Sequence, residues 1–99
     1  MDLTILIPVK NEINNILEII NSIEKEIQIN YEILFIDDFS EDNTYEFIRQ
    51  IQKKNNKIKV VKNKINGLGQ SIRNGIKYSN GKYLSILMCD ESDDPSDLN

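Results

Sequence analysis

The chain has no histidine and no tryptophan, and only one cysteine, two prolines and four glycines in 99 residues. Without histidine, acid–base chemistry within these residues falls to carboxylates, lysine, tyrosine or the thiol. The lone Cys89 excludes an internal disulfide and fits a reducing compartment, so a cytoplasmic protein is expected. No apolar run approaches the ~18 residues of a membrane span, and the opening MDLTILIP is too short and too weakly charged for a secretory leader. The 12 basic residues are outnumbered by 16 acidic ones. The formal charge is −4, which leaves nothing to neutralise a nucleic-acid backbone. At 39% hydrophobic and 28% charged, the composition is that of a globular domain, neither disordered nor membrane-embedded. A single domain of this size buries about two thirds of its unfolded surface, enough for a core but not for a large two-substrate enzyme.

What the chain does have is Ile33 to Thr44, ILFIDDFSEDNT, in which four apolar residues run into the carboxylates Asp37 and Asp38 and then into a polar turn. The run suits a strand buried on both faces. Two adjacent carboxylates are costly to bury unpaired, so they belong at the strand's carboxyl end, facing a cleft or capping the next helix. In an open α/β sheet that edge is where ligands bind.

The rest of the chain alternates around this strand. Leu3 to Val9 reads as a strand ending near Pro8, and Asn11 or Asn14 can cap a helix reaching about Ile27, with isoleucines at spacings of three and four. Tyr31 to Asp37 is the second strand. Ser40 caps a second helix to about Lys53, and Lys57 to Lys62 is a short strand whose lysines suit a sheet edge. Asn63 to Asn66 is a turn, Gly67 to Tyr78 a third helix stopped by Ser79-Asn80-Gly81, and Tyr83 to Met88 a fourth strand. This order implies an α/β, Rossmann-like fold: a parallel sheet with right-handed crossovers and helices on both faces. A doubly wound order of 3-2-1-4 brings Pro8 to Glu12, Asp37-Asp38 and Cys89 to Asp94 around one crevice. Gly67-Leu68-Gly69 does not make a dinucleotide-binding fingerprint, since Ile72 stands where the third glycine is needed and the turn follows the third strand. It remains a glycine-rich turn at a helix amino end, suited to an anion.

The strings IPVKNE (Ile7 to Glu12), IDDFSEDNT (Ile36 to Thr44) and NGLGQSIRNGIKYSNGKYLSILMCDESDDP (Asn66 to Pro95) resemble, in order and spacing, the nucleotide-sugar-binding half of the family 2 inverting glycosyltransferases. The chain is most similar in flavour to the polyprenyl- and dolichyl-phosphate mannosyl- and glucosyltransferases. The resemblance implies a GT-A fold and a nucleoside diphosphate sugar, GDP- or UDP-linked, as donor. It implies that Pro8, Asn11 and Glu12 line the nucleoside pocket, with Glu12 near the ribose and Lys10 standing where the family often has tyrosine. Asp38 is then the acid that accepts a hydrogen bond from the nucleobase, a role that suits an acceptor-only carboxylate. The turn at Gly67 lies under the donor, and Arg73 is implied as a phosphate contact.

At the end of the fourth strand, Met88-Cys89-Asp90-Glu91-Ser92-Asp93-Asp94-Pro95 occupies the place of the family's D-x-D motif, with Asp90 on the second acid and Met88 on the first. A subset of the family reads M-A-D-x-S-D-D-P there. Asp90 is implied as the ligand of a divalent Mg²⁺ or Mn²⁺ ion that holds the diphosphate, with Asp93 and Asp94 as further candidates. The family's general base lies on a later segment, so no catalytic residue is expected within the chain and the base is expected beyond Asn99. The 99 residues are therefore expected to be an amino-terminal half, with the acceptor half absent, that binds donor weakly and does not transfer sugar. The parent enzyme would transfer a hexosyl group with inversion to a polyprenyl phosphate or glycan, at the cytoplasmic face of a membrane. Self-association through sheet surface left exposed after the fourth strand is expected. Two other classes fit the pattern less well. One is a non-catalytic binding or assembly module of the same fold. The other is a response-regulator receiver domain, which needs its acid pair after the first strand and a phosphoacceptor aspartate after the third, where KIKVVK is followed by no acid.

Overall fold

Strands and helices alternate along the computed structural model, which describes residues 1–88. Strand β1 (Leu3–Val9) is followed by helix α1 (Ile16–Glu26), β2 (Tyr31–Asp37) by α2 (Thr44–Lys54), β3 (Ile58–Lys62) by α3 (Leu68–Tyr78), and then comes β4 (Tyr83–Ile86). All strand pairs are parallel, in the order β3-β2-β1-β4. This is the order expected from the sequence, with β3 at one edge. In register, Val9 stands opposite Asp37 and Asp37 opposite Lys62, so three strands end together at one rim.

The two faces of the sheet are built differently. On one, odd-numbered strand residues such as Ile5, Ile7, Ile33 and Phe35 meet Ile16, Ile20 and Ile23 of α1 and Ile48 of α2 in a cluster of eleven buried side chains. Each fully buried aliphatic chain contributes roughly 1.5–3 kcal/mol, so this face carries most of the hydrophobic stabilisation. On the other face only Leu6, Leu34 and Ile36 are buried together, with Val61 beside them. Helix α3 can approach there because Gly75 has no side chain: an added Cβ would collide with both methyl groups of Leu6. The even positions of β2 and its end read Glu32, Leu34, Ile36, Asp38, so this apolar strip is two residues deep and polar at each end.

At the amino end of that strip Glu32 is 0% exposed. Its Oε2 accepts from Thr4 Oγ1 at 2.5 Å and from the Asn80 N–H at 2.7 Å, and its Oε1 faces Lys59 Nζ at 2.9 Å. Gly81 N–H donates to Thr4 Oγ1 at 2.7 Å, which ties the α3–β4 turn to the sheet. Burial by itself would raise the Glu32 carboxyl, but the hydrogen bonds from Lys59, Thr4 and Asn80, with the Lys59 charge, hold it below its ordinary value.

Pro8 sits inside β1, opposite Ile36. Even-numbered β1 residues turn their backbone groups toward β4, as the Leu87 N–H to Leu6 C=O bond of 2.9 Å shows. The N–H that Pro8 lacks therefore faces the stretch beyond Ile86, where the β4 ladder has ended. Strand β4 is shorter than the expected Tyr83 to Met88, and all its residues are exposed.

Both helix starts fall later than the sequence suggested. Helix α1 begins after Asn15, not at Asn11 or Asn14, and α2 begins after Asn43, not at Ser40. For Asn11 and Ser40 the reason is the same: the expected capping side chains make bonds across the crevice instead of to their own helix.

Candidate functional site

The loops that leave β1 and β2 are laced together. Asn11 adopts φ +55, a left-handed conformation that asparagine tolerates better than most residues. This turns its side-chain carbonyl to accept from the N–H groups of Glu41 at 2.7 Å and Asp42 at 3.2 Å. In return, Ser40 Oγ accepts from the Asn11 N–H at 2.9 Å, and Thr44 Oγ1 accepts from the Glu12 N–H at 3.1 Å. The Asp42 carboxylate takes N–H bonds from Thr44 at 3.0 Å and Ile13 at 3.4 Å, and a further bond from the Thr44 hydroxyl. Burial works against its charge, but these donors, the Thr44 hydroxyl first, hold the Asp42 carboxyl below its ordinary value. Glu12 is 5% exposed, and its carboxylate accepts from Asn15 Nδ2 at 2.7 Å.

Beside this lacing stand the two acids at the end of β2. Asp37 is 2% exposed; its Oδ2 accepts from the Ser40 N–H at 3.4 Å, and its Oδ1 has no partner among the described residues. Asp38 is half-buried and aims at the α3 side. Its backbone N–H bonds Val9 C=O at 2.9 Å, which fixes it at the rim, and its Oδ1 accepts from Asn63 Nδ2 at 3.1 Å and the Gly67 N–H at 3.0 Å. Gly67 has φ +130 and no atom within 4 Å of an added Cβ, so glycine is needed there for its backbone conformation and not for space.

Asn63 is the hub of this second network. It is 6% exposed, its N–H bonds Asp37 C=O at 2.9 Å, and its Nδ2 also reaches Ser71 Oγ at 2.7 Å and Gly67 C=O at 3.4 Å. Its Oδ1 accepts from Asn74 Nδ2 at 2.5 Å. Local sequence places Asn63 in a turn and gives it no site role. The signal that points to its burial is the strand period: counting by two from Val61 puts Asn63 on the α3 face.

Of the residues singled out from sequence, Asn11, Glu12, Asp38 and Gly67 come together at one rim, and Pro8 is buried just beneath it in β1. Arg73 lies on α3, and none of the side-chain hydrogen bonds among the described residues involves it. Cys89, Asp90, Asp93 and Asp94 lie outside the described residues, as does the chain end at Asn99 beyond which the general base is expected. Among the described residues no group of three His, Cys, Asp or Glu side chains converges as a metal site, so Asp37, Asp38 and Glu12 do not fit one by themselves. Again among the described residues, no helix is long and apolar enough to cross a membrane.

Comparison with known proteins fits this geometry. The chain is 39% identical over 89 residues to an uncharacterized glycosyltransferase of Rickettsia conorii, covering 90% of this chain and 15% of the relative. It is 32% identical over 92 residues to the dolichol-phosphate mannosyltransferase of Pyrococcus furiosus, covering 91% of this chain and 26% of the relative. Among solved structures, S. aureus TarS 1–349 in complex with UDP superposes with a TM-score of 0.75 at 25% identity, over 89% of this chain and 27% of that one. The mannosyltransferase PcManGT of Pyrobaculum calidifontis, in complex with GDP-Man and Mn2+, shares the fold with a TM-score of 0.76 at 19% identity, over 87% of this chain and 26% of that one. The chain thus spans roughly a quarter or less of the length of these proteins. The model of "Glycosyl transferase family 2" matches residues 4–99, nearly the whole chain, and on that match, with the sheet order and relatives described, the chain belongs to glycosyl transferase family 2.

Proposed function

We propose that the rim formed by β1, β2 and the Gly67 turn holds the nucleoside diphosphate of a sugar donor, with Asp38 accepting a hydrogen bond from the nucleobase. The observation that carries this reading is the Asp38 carboxylate, half-buried at a strand end and oriented by two N–H donors in a family 2 glycosyltransferase chain. Asn11 and Glu12 shape the neighbouring wall, and Arg73 and the amino end of α3 serve the phosphates. The protein as a whole transfers a hexosyl group with inversion to a polyprenyl phosphate or glycan, in keeping with its likeness to a dolichol-phosphate mannosyltransferase. Residues 1–99 form the donor half, and the general base and acceptor site belong to chain beyond Asn99. Asp90 would hold a divalent Mg²⁺ or Mn²⁺ ion, which would supply charge neutralisation for the leaving diphosphate. The cytoplasm is the expected setting, on the strength of the single cysteine.

The test is an NMR titration of the ¹⁵N-labelled chain with UDP, GDP and their sugars in Mg²⁺, then in paramagnetic Mn²⁺. Shifts in the amides of residues 8–12 and 38, with Mn²⁺ broadening around Asp90 only when nucleotide is present, are the expected result. Silence at millimolar nucleotide would leave a binding or assembly module with the fold alone.

A further inference from the structure

The relatives divide between UDP and GDP-Man, and the Asp38 network bears on which base this chain reads. A carboxylate oxygen offers about two lone-pair sites. Both sites of Asp38 Oδ1 are taken, one by Asn63 Nδ2 at 3.1 Å and one by the Gly67 N–H at 3.0 Å. Among the described residues nothing donates to Oδ2, and the side chain is half-buried. The arrangement is held from behind. Asn74 Nδ2 donates to Asn63 Oδ1 at 2.5 Å and Asn63 Nδ2 donates to Ser71 Oγ at 2.7 Å, so the Asn63 amide cannot turn over without setting its oxygen against the carboxylate. Turning the carboxylate to present both oxygens would leave the Gly67 N–H and the buried Asn63 amide short of an acceptor.

We infer that Asp38 presents one oxygen only, that Asn63 is the positioning residue that enforces this, and that the site takes a uridine diphosphate donor in preference to a guanosine one. The inference rests on the donor-site reading above. Guanine offers N1–H and the 2-amino group side by side and is matched by a carboxylate using both oxygens, whereas uracil offers the single N3–H and is satisfied by one. At this site guanine keeps one of its two bonds and has its amino group desolvated without a partner. Cytosine is disfavoured because its ring N3 is an acceptor that faces the carboxylate.

Calorimetric titration of the 99-residue chain with UDP, GDP, IDP and N3-methyl-UDP in Mg²⁺ tests this. UDP is expected to bind about ten- to a hundredfold tighter than GDP, the range set by leaving one desolvated donor unpaired. IDP, which lacks only the 2-amino group, should bind tighter than GDP, and N3-methyl-UDP should lose the advantage of UDP. GDP binding as tightly as UDP, or as tightly as IDP or tighter, overturns the inference while leaving the donor site standing. No binding by any of the four removes the donor-site reading itself. In Asn63→Ala, with folding checked by thermal melt, the UDP-to-GDP ratio should narrow. Ser71→Ala, which removes the hydroxyl that accepts from the Asn63 amide at 2.7 Å, should narrow it in the same sense. An unchanged ratio in whichever of the two variants folds would show that Asn63 positions nothing.

Discussion

Phe39 adopts φ +58 between Asp38 and Ser40 and is 47% exposed. Left-handed backbone costs an L-residue about 1–2 kcal/mol, while glycine there costs about 0.5–1 kcal/mol in chain entropy. Phe39→Gly should therefore leave stability unchanged or raise it by up to about 1 kcal/mol, and Phe39→Val, with a branched Cβ, should lower it by about 1 kcal/mol or more. Urea-unfolding midpoints compare the two directly. Loss of stability in Phe39→Gly would mean that the ring makes contacts that outweigh the strain. Asn11 has the same backbone but a side chain that is used. Asn11→Gly keeps the conformation and loses the acceptor for Glu41 and Asp42, at about 1 kcal/mol, and Asn11→Ala adds strain to that loss. The expected order of stability is Asn, then Gly, then Ala, again read from unfolding midpoints.

At the scale of elements, α3 and the turn after it dock by close approach more than by apolar bulk. Leu6 is fully buried, so a methyl group at Gly75 cannot push it aside, and Gly75→Ala should cost about 1–3 kcal/mol although alanine is the better helix former. At Gly81 the added Cβ would collide with Thr4 N and lie 2.6 Å from Leu3 C, both backbone atoms. Backbone yields less than a side chain, so Gly81→Ala should be the more damaging of the pair. Hydrogen exchange of the β4 amides is the measurement: Gly81→Ala should release the Tyr83 N–H, which bonds Asp2 C=O at 3.0 Å, before it affects α1 and α2. Uniform loss of protection across the sheet would mean that this turn is not a separate docking unit.

For the whole molecule, acid stability follows from Glu32 and Asp42. Both carboxyls are held below their ordinary values of 4.5 and 3.8 in the folded chain. Lowered folded values mean that their stabilisation is fully present above those ordinary values and is lost as pH falls through and below them, because the unfolded chain takes up protons first. Urea midpoints should hold steady from neutral pH down to about 5 and then fall. Glu32→Gln should flatten that fall and lower stability at neutral pH by about 1–2 kcal/mol, since Lys59, Thr4 and Asn80 lose a charged acceptor. An unchanged acid slope in Glu32→Gln would show that the buried pair does not titrate with unfolding.

The alternation of elements, the central β2 strand and the acids at its end were legible in the chain because burial on both faces writes a continuous apolar run, ILFI, and a strand end writes its charges directly after it. The parallel 3-2-1-4 order followed from the element order and the handedness of crossovers. Local pattern also carried the three motifs that mark the family. It could not show what the polar side chains bond to. Asn11 and Ser40 read as helix caps, and the fold uses them to lace two loops across 29 residues of sequence. Asn63 read as a turn residue, and only the docking of α3 on β1 and β2, which brings Ser71 and Asn74 to it, makes it a buried donor that fills one oxygen of Asp38. A hydrogen-bonding group has the same spelling whichever partner it takes, so the sequence settles where the carboxylates stand and the tertiary structure decides how many of their oxygens remain for a ligand.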